Sequence, residues 1–517
     1  MSIPESSRSP GRAGREPHGC ADLVHGLLDR AVASRPTAPA VRDGKGCWTY
    51  EDLGSAARSA AAWLLACGVE PGDRVVVRAV PQRSFVALLY GCLRLGATFV
   101  PVNTAMRRYQ LTHVLQDAEP ALFIGGDPEE REWVGETVPV RSTDEVRAAV
   151  EPLGPRPETP GELPTSTHSS DDVALLLYTS GSTAQPKAVA CPHAAVVFAV
   201  RAVADRVRYR PEDVVFCRLP LSFDYGLYQL LLGAEAGCEV VLADATGDMR
   251  LLADVRETGA TVVPIVPSLG AMLLTLARRD PAPTRVRLFT NTGEHLPLRT
   301  VQQLRDRFPG ASVQLMFGTT ECKRITIMEP DGDLHRPASV GRALAGTSVR
   351  VVDERGRPLP PGATGEITVR GPHLMAGYWR SPELTARTYR VDPDGAERVL
   401  HTGDFGHLDA DGYLYFSGRR DQVFKRRGTR TSVLEIEEAA RSLPGVRDAA
   451  VLPPSGHRDA VLYLAGDTTP RQALAGLGQL LDPAKVPALC RIVEALPLTP
   501  NGKVSRPLLE EWESVRT

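Results

Sequence analysis

The chain has 517 residues, 60 Lys+Arg against 62 Asp+Glu for a net charge of −2, and 43% hydrophobic residues. That length exceeds one hydrophobic core, so two or more domains are expected, and the near-neutral balance argues against nucleic acid as the main partner. No apolar run reaches the ~18 to 20 residues of a membrane span, since the longest candidate, 85–102, is broken by Arg94 and two glycines; nine scattered cysteines without a C-x-x-C pair fit a reducing cytoplasm and no zinc site.

Residues 1–18 are rich in Ser, Pro, Gly and Arg without an apolar core, and are expected to form a disordered tail, not a signal peptide. From about 20 to 430, short β-branched runs alternate with amphipathic stretches, as in 74–78 before 84–95 and 240–242 before 249–258. This alternation predicts α/β layers with parallel strands. A Pro/Gly/Ser/Thr-rich break at 150–170 precedes the apolar run 173–177, and residues 349–370 read as a β-rich subdomain with Gly and Pro turns. A boundary is expected near Asp421, dividing a large multi-subdomain α/β domain (19–420) from a small α+β domain (421–517). The small domain should hold a helix over 432–443, strands over 449–452 and 460–464, and a helix over 471–481.

Several clusters carry chemistry. Thr179, Ser180, Gly181, Ser182 and Thr183 follow a strand and lead to Pro186 and Lys187. Small residues let backbone curl around an anion, hydroxyls and amides donate to phosphate oxygens, and the lysine adds a mobile positive charge. This is a phosphate-handling loop, but not of the Walker type, because Pro186 precedes the lysine and Ala188 follows it. The run 313–316 leads into Phe317, Gly318, Thr319, Thr320 and Glu321, setting hydroxyls and one carboxylate at the carboxyl edge of a sheet, where ligands bind in open α/β folds. That carboxylate can hold Mg²⁺, a hard ion that also ligates phosphate. Asp404, after Thr402 and Gly403, is expected on a tight turn, where a carboxylate can accept both ribose hydroxyls; Gly418, Arg419 and Asp421 follow it. Near the C-terminus, Pro500, Asn501 and Gly502 form a turn that projects Lys503. Only six of the 60 cationic residues are lysine (45, 187, 323, 425, 485 and 503), and three of them, 187, 323 and 503, fall in or beside these clusters. Where arginine serves the surface, a surviving lysine is expected to do what arginine cannot.

In this order the motifs resemble the adenylate-forming superfamily of acyl-CoA ligases, carrier-protein-loading adenylation domains and luciferases, from Trp48 to the C-terminus. The loop departs from the usual pattern at Ala184 and Ala188, where glycine is usual. If either backbone needs a positive φ, alanine costs on the order of 1 kcal/mol. The resemblance implies ATP and Mg²⁺, with Glu321 as metal ligand, Thr320 as a phosphate contact and Asp404 on the ribose. Arg419 would contact ribose or phosphates, Asp421 would be the hinge of a mobile C-terminal domain, and Lys503 would be the catalytic cation at the α-phosphate. Thr292, Gly293 and Glu294 would flank the adenine, with Thr292 replacing a usual glycine.

By the same resemblance Phe223, Asp224, Tyr225, Tyr228, Met316, Arg324 and Ile325 line the acyl pocket, with Phe223 at the place of an aromatic gate. Asp224 reads two ways: as the anchor of a substrate ammonium, as in amino-acid adenylation domains, or without that job, as in fatty-acyl relatives. Arg324 either meets an anionic group, pairs with Asp224, or lies with Lys323 on a helix surface. The tyrosines and Arg324 make the pocket short and polar, which, with the GC-rich composition, points to natural-product biosynthesis. The expected reaction is ATP-dependent adenylation of a small carboxylic or amino acid and transfer to the phosphopantetheine thiol of a separate carrier protein, since the chain ends soon after the lysine motif. Free coenzyme A is the alternative acceptor. A non-catalytic nucleotide-binding relative has only the two alanines in its favour. No membrane partner is expected.

Overall fold

The computed structural model describes residues 23–125, 128–135, 138–151, 168–179, 186–244, 247–391, 397–419, 422–426, 429–455, 458–483, 485–499 and 504–514. The tail 1–18, most of the break at 150–170, Ser180 to Thr183, Asp421 and Lys503 lie outside the described residues.

Among the described residues the expected α/β layers are two large sheets. One has seven strands, in the order Gly377–Tyr378, Lys187–Pro192, Val173–Thr179, Thr98–Val102, Arg74–Arg78, Leu122–Gly125 and Val140–Ser142. Its strands run parallel from Val173–Thr179 to the last edge. The other has nine strands, with Ser312–Phe317, Leu288–Asn291, Val262–Ile265, Val214–Cys217, Glu239–Leu242 and Pro39–Asp43 forming its parallel centre. These strands read as short β-branched runs because both of their faces are covered. The helix Tyr50–Ala66 starts at a capping box between Thr49 and Asp52, which satisfies two otherwise unpaired N–H groups. It packs on Arg83–Leu95, a helix buried at every residue except Arg94 and stopped by Gly96 at φ 87°. The longest apolar run of the sequence is therefore a core helix and the strand after it. No described helix is long and apolar enough to cross a membrane.

The β-rich region forms an antiparallel five-stranded sheet of Ser348–Val352, Gly365–Arg370, Arg398–Leu408, Tyr389–Val391 and Leu414–Arg419. After the hairpin Val423–Arg426 and Thr429–Ser432 comes the expected helix–strand–strand–helix series: Val433–Arg441, Val446–Leu452, Val461–Gly466 and Pro470–Leu480. A third strand, Leu489–Val493, pairs in parallel with Val461–Gly466, and a last helix spans Arg506–Ser514; neither was expected from sequence. This part has apolar clusters of its own, one around Val433, Ile436, Leu462 and Leu477 and one around Leu452, Tyr463 and Leu509. It touches the larger part through His295 Nε2 and Glu438 at 3.4 Å, and through Arg299, which donates to the Arg441 carbonyl at 3.3 Å.

Candidate active site

The strands Leu288–Asn291 and Ser312–Phe317 run side by side with Asn291 opposite Leu315, so their carboxyl ends release two motifs at one edge. After the first come Thr292, Gly293 and Glu294; after the second, Gly318 to Glu321. At Gly318 a Cβ would overlap the Lys323 carbonyl oxygen, so only glycine lets the chain fold back here. The resulting loop is closed by the Lys323 amide donating to Thr319 O at 2.7 Å and by Ile325 donating to Phe317 O at 2.8 Å. Phe317 rests on Phe416 with ring centroids 4.9 Å apart, joining this edge to the β-rich sheet.

The expected phosphate loop is rooted in a hairpin in which Thr179 faces Lys187 across Val173–Thr179 and Lys187–Pro192. Ser180, Gly181, Ser182 and Thr183 lie outside the described residues, between these two. Glu321 is tied to the same sheet: Tyr378, opposite Val189 in the adjoining strand, donates its phenol to Glu321 Oε1 at 2.6 Å. Tyr389 donates to the Glu321 carbonyl at 3.1 Å. Burial, reinforced by the Glu321 charge, holds the Tyr378 phenol above its usual range, so it remains a donor. Glu321 and the strand that leaves the loop, far apart in sequence, are thus joined through Tyr378. Glu321 directly follows Thr319 and Thr320, and a carboxylate with neighbouring hydroxyls is a set of hard oxygen donors that suits Mg²⁺.

Asp404 is not on the expected tight turn. It lies within the long strand Arg398–Leu408, where a bulge between the partners of Glu366 and Thr368 interrupts the ladder and Gly403 takes φ 71°. His401 and Phe405 pair with Thr368 and Glu366, so Thr402 to Asp404 bulge out of that ladder instead of reversing the chain, while Asp404 pairs with Arg419 on the other side. Asp404 faces Arg419 across the strands, and Arg419 Nε stands 3.5 Å from its carboxylate.

Of the residues expected to line an acyl pocket, Phe223, Asp224, Tyr225 and Tyr228 lie at the start of the helix Asp224–Ala236. Gly226 permits this, because a Cβ there would overlap the Pro220 carbonyl oxygen. Phe223 caps the helix and packs near Gly293. Asp224 and Arg324, both about 5% exposed, form an ion pair at 3.3 Å, and the Arg324 guanidinium lies 5.1 Å over the Tyr225 ring. Tyr225 in turn shares a 2.8 Å hydrogen bond with Thr290. Lys323 and Arg324 are therefore not on a helix surface. Lys323 is fully buried in a left-handed conformation (φ 68°), which costs a non-glycine residue on the order of 1 kcal/mol. Its ammonium donates to Thr320 O at 2.9 Å and to Cys191 Sγ at 3.4 Å, and sits 5.7 Å from the Tyr228 ring centre. Met316 is buried at the end of its strand, whereas Ile325 belongs to the apolar cluster of the β-rich sheet with Val340, Ile367 and Val369. Lys323 and Tyr378 are the residues that site assignment from sequence passed over; the scarcity of lysine was the one signal for the first.

Three buried polar atoms of residues in these motifs find no hydrogen-bond partner among the described residues: the Tyr228 hydroxyl, the Thr292 hydroxyl and Arg324 Nε. Each such group costs about 1–3 kcal/mol if left dry, and native proteins keep them where a ligand or water completes them.

The profile of the AMP-binding enzyme family matches residues 28–379. The chain belongs to that family. An L-proline–[L-prolyl-carrier protein] ligase of Streptomyces coelicolor is 31% identical over 515 residues, covering 92% of this chain and 94% of its own length. Other relatives are far longer peptide synthetases, of which the chain spans 6% to 45%. Among solved structures, VinN is 46% identical over 77% of this chain and 98% of its own, with a TM-score of 0.69, and has also been determined with L-aspartate. ATP-bound MatB of Rhodopseudomonas palustris is 27% identical over 95% of this chain and 100% of its own, with a TM-score of 0.83. The AMP-binding family is the adenylate-forming superfamily of the sequence resemblance, and the mixed α/β fold is shared.

Proposed function

We propose that the chain adenylates a small amino acid carrying a second carboxylate, and passes the aminoacyl group to the phosphopantetheine thiol of a separate carrier protein. The observation that carries this reading is the buried constellation of Asp224, Arg324 and Lys323. One anion beside two cations is a poor lining for a fatty chain, because buried charges need partners. An amino-dicarboxylic acid supplies both: its ammonium for Asp224 and its unreacting carboxylate for Arg324 and Lys323. The likeness to VinN, solved with L-aspartate, supports the same class.

In the first step a carboxylate oxygen of the acid attacks the α-phosphorus of ATP; a P–O bond forms and the bond to pyrophosphate breaks. Thr179, Ser180, Gly181, Ser182, Thr183 and Lys187 cradle the departing phosphates, Thr292, Gly293 and Glu294 flank the adenine, and Asp404 with Arg419 holds the ribose. Glu321, beside Thr320, would hold Mg²⁺, which neutralises phosphate charge when bound. Lys503 bridges the acid and the α-phosphate, where negative charge develops. In the second step the thiol attacks the acyl carbon, AMP leaves and the thiol proton passes to solvent. We place the domain boundary at Asp421, so that the part beyond it turns between the steps to admit the thiol.

Incubation with MgATP, L-aspartate and either a holo carrier protein or coenzyme A, followed by intact mass measurement, tests the reading. An aminoacyl thioester on the carrier supports it. A thioester on coenzyme A alone replaces the acceptor, and no AMP from any amino-dicarboxylic acid contradicts the proposal.

A further inference from the structure

We propose that Tyr378 is a positioning residue for adenylation: its phenol fixes the Glu321 carboxylate in the orientation that takes the divalent cation, in register with the strands that root the phosphate loop. This rests on the reading of Glu321 as the Mg²⁺ ligand. A glutamate at the end of a loop has freely turning side-chain bonds, and holding it in one orientation before the metal arrives needs an outer hydrogen-bond partner. The 2.6 Å bond from the Tyr378 hydroxyl to Glu321 Oε1 supplies one. The Glu321 main chain is held separately, by Tyr389 at 3.1 Å and the Met375 amide at 2.9 Å on its carbonyl.

The other half of the inference lies in where Tyr378 is anchored. Its strand pairs with Lys187–Pro192, Tyr378 opposite Val189, two residues past Lys187. The next residue, Trp379, donates its amide to Ala188 O at 2.9 Å and its indole N–H to Asp117 O at 3.2 Å. The Asp117 carboxylate accepts the Tyr178 hydroxyl at 2.7 Å, and Tyr178 precedes Thr179 on the other strand of the hairpin. The same helix, Arg108–Ala118, also meets the loop's exit through His113 Nε2, 3.2 Å from Pro186 O. Both roots of the phosphate loop are thus braced by the Trp379–Asp117 contact, and one tyrosine beside it reaches across to the metal carboxylate. Tyr378 thus ties the Glu321 carboxylate to the two strands, Val173–Thr179 and Lys187–Pro192, from which the phosphate loop springs.

The test is Mn²⁺ binding, read by the electron paramagnetic resonance signal of free Mn²⁺ in the presence of a non-hydrolysable ATP analogue, with metal-free analogue binding measured alongside in chelator. Tyr378→Phe keeps the ring and should weaken the metal–nucleotide complex about tenfold, the lower end of what outer-partner loss costs a metal site, while metal-free binding stays within about twofold. Tyr378→His retains an N–H donor and should recover part of the loss; it also serves if the phenylalanine variant does not fold. Glu321→Gln must weaken Mn²⁺ binding too. If it does not, the metal reading of Glu321 falls and this inference with it. If Glu321→Gln weakens binding but Tyr378→Phe does not, or if Tyr378→Phe weakens metal-bound and metal-free nucleotide equally, Tyr378 is merely structural and the inference alone is overturned.

Discussion

Replacing Asp224 by Asn removes one charge from the pocket and almost no volume. Two unit charges 3.3 Å apart attract by about 5 kcal/mol at an effective dielectric near 20, most of it offset by the cost of taking both out of water. Arg324 would keep its 3.0 Å bond to the Lys323 carbonyl and its place over Tyr225, so the pocket wall should survive. A substrate ammonium loses a charge-assisted hydrogen bond worth about 1.5–3 kcal/mol, which is roughly 10- to 150-fold in kcat/KM. Succinate, the analogue of aspartate without its amine, loses nothing of this kind. ATP–pyrophosphate exchange with L-aspartate and with succinate, in wild type and Asp224→Asn, reads the effect as a ratio. The aspartate-to-succinate preference should fall by at least tenfold. An equal loss with both acids, or no loss with either, would refute the role of Asp224 as ammonium anchor.

Further outcomes follow from the same contacts. Lys323→Met should reduce exchange with dicarboxylic amino acids about tenfold or more, while relaxing the preference over monocarboxylic ones, read from kcat/KM across the two classes. Lys503→Ala should cut pyrophosphate exchange by ~10²-fold or more, roughly 3 kcal/mol, with ATP binding measured by calorimetry left intact; wild-type exchange in that variant sinks the role. Burial holds the His193 imidazole down at about 3, where it accepts the Val24 amide at 3.1 Å. The unfolded chain takes up that proton near pH 6.5, so this contribution to stability is full above that pH and is lost as pH falls towards 3. Urea melts between pH 4 and 7 should show a steeper acid decline in wild type than in His193→Asn. Glu438 is pushed up by burial, but its bond to His295 and the charge of Arg441 outweigh this and hold it below the usual carboxylate range. Its contribution is present above about pH 4.5 and lost below, so Glu438→Gln should differ from wild type in urea melts at pH 7 and match it at pH 3.

What the sequence made legible was whatever chemistry forces into a short stretch. A phosphate cradle needs small residues, hydroxyls and a cation close together, so Thr179 to Lys187 stands out, and so does the strand ending at Phe317 with Glu321 after it. Contacts across long loops left no such trace. Lys323 and Arg324, adjacent and charged, look like a solvated surface. They are buried because the left-handed turn at Lys323 sends its ammonium to Cys191, 132 residues away, and because Asp224 lies 100 residues away from Arg324. Tyr378 reads as an ordinary aromatic next to Gly377, and its partner Glu321 is 57 residues upstream. Asp404 misled for the opposite reason: Thr-Gly-Asp is a good local turn, but the residues on either side pair with Gly365–Arg370, so the three form a bulge within a strand. The strand Leu489–Val493 was invisible because its parallel pairing is non-local and Arg491 breaks its apolar run.

The most direct measurement is ATP–pyrophosphate exchange by the wild-type protein with L-aspartate, succinate and L-alanine, each at matched concentration with Mg²⁺. Exchange well above background with aspartate, and at least tenfold lower with each of the other two, is the result the charged pocket predicts. Exchange that is as fast with succinate or with alanine as with aspartate would contradict it, because either the ammonium or the second carboxylate would then go unread.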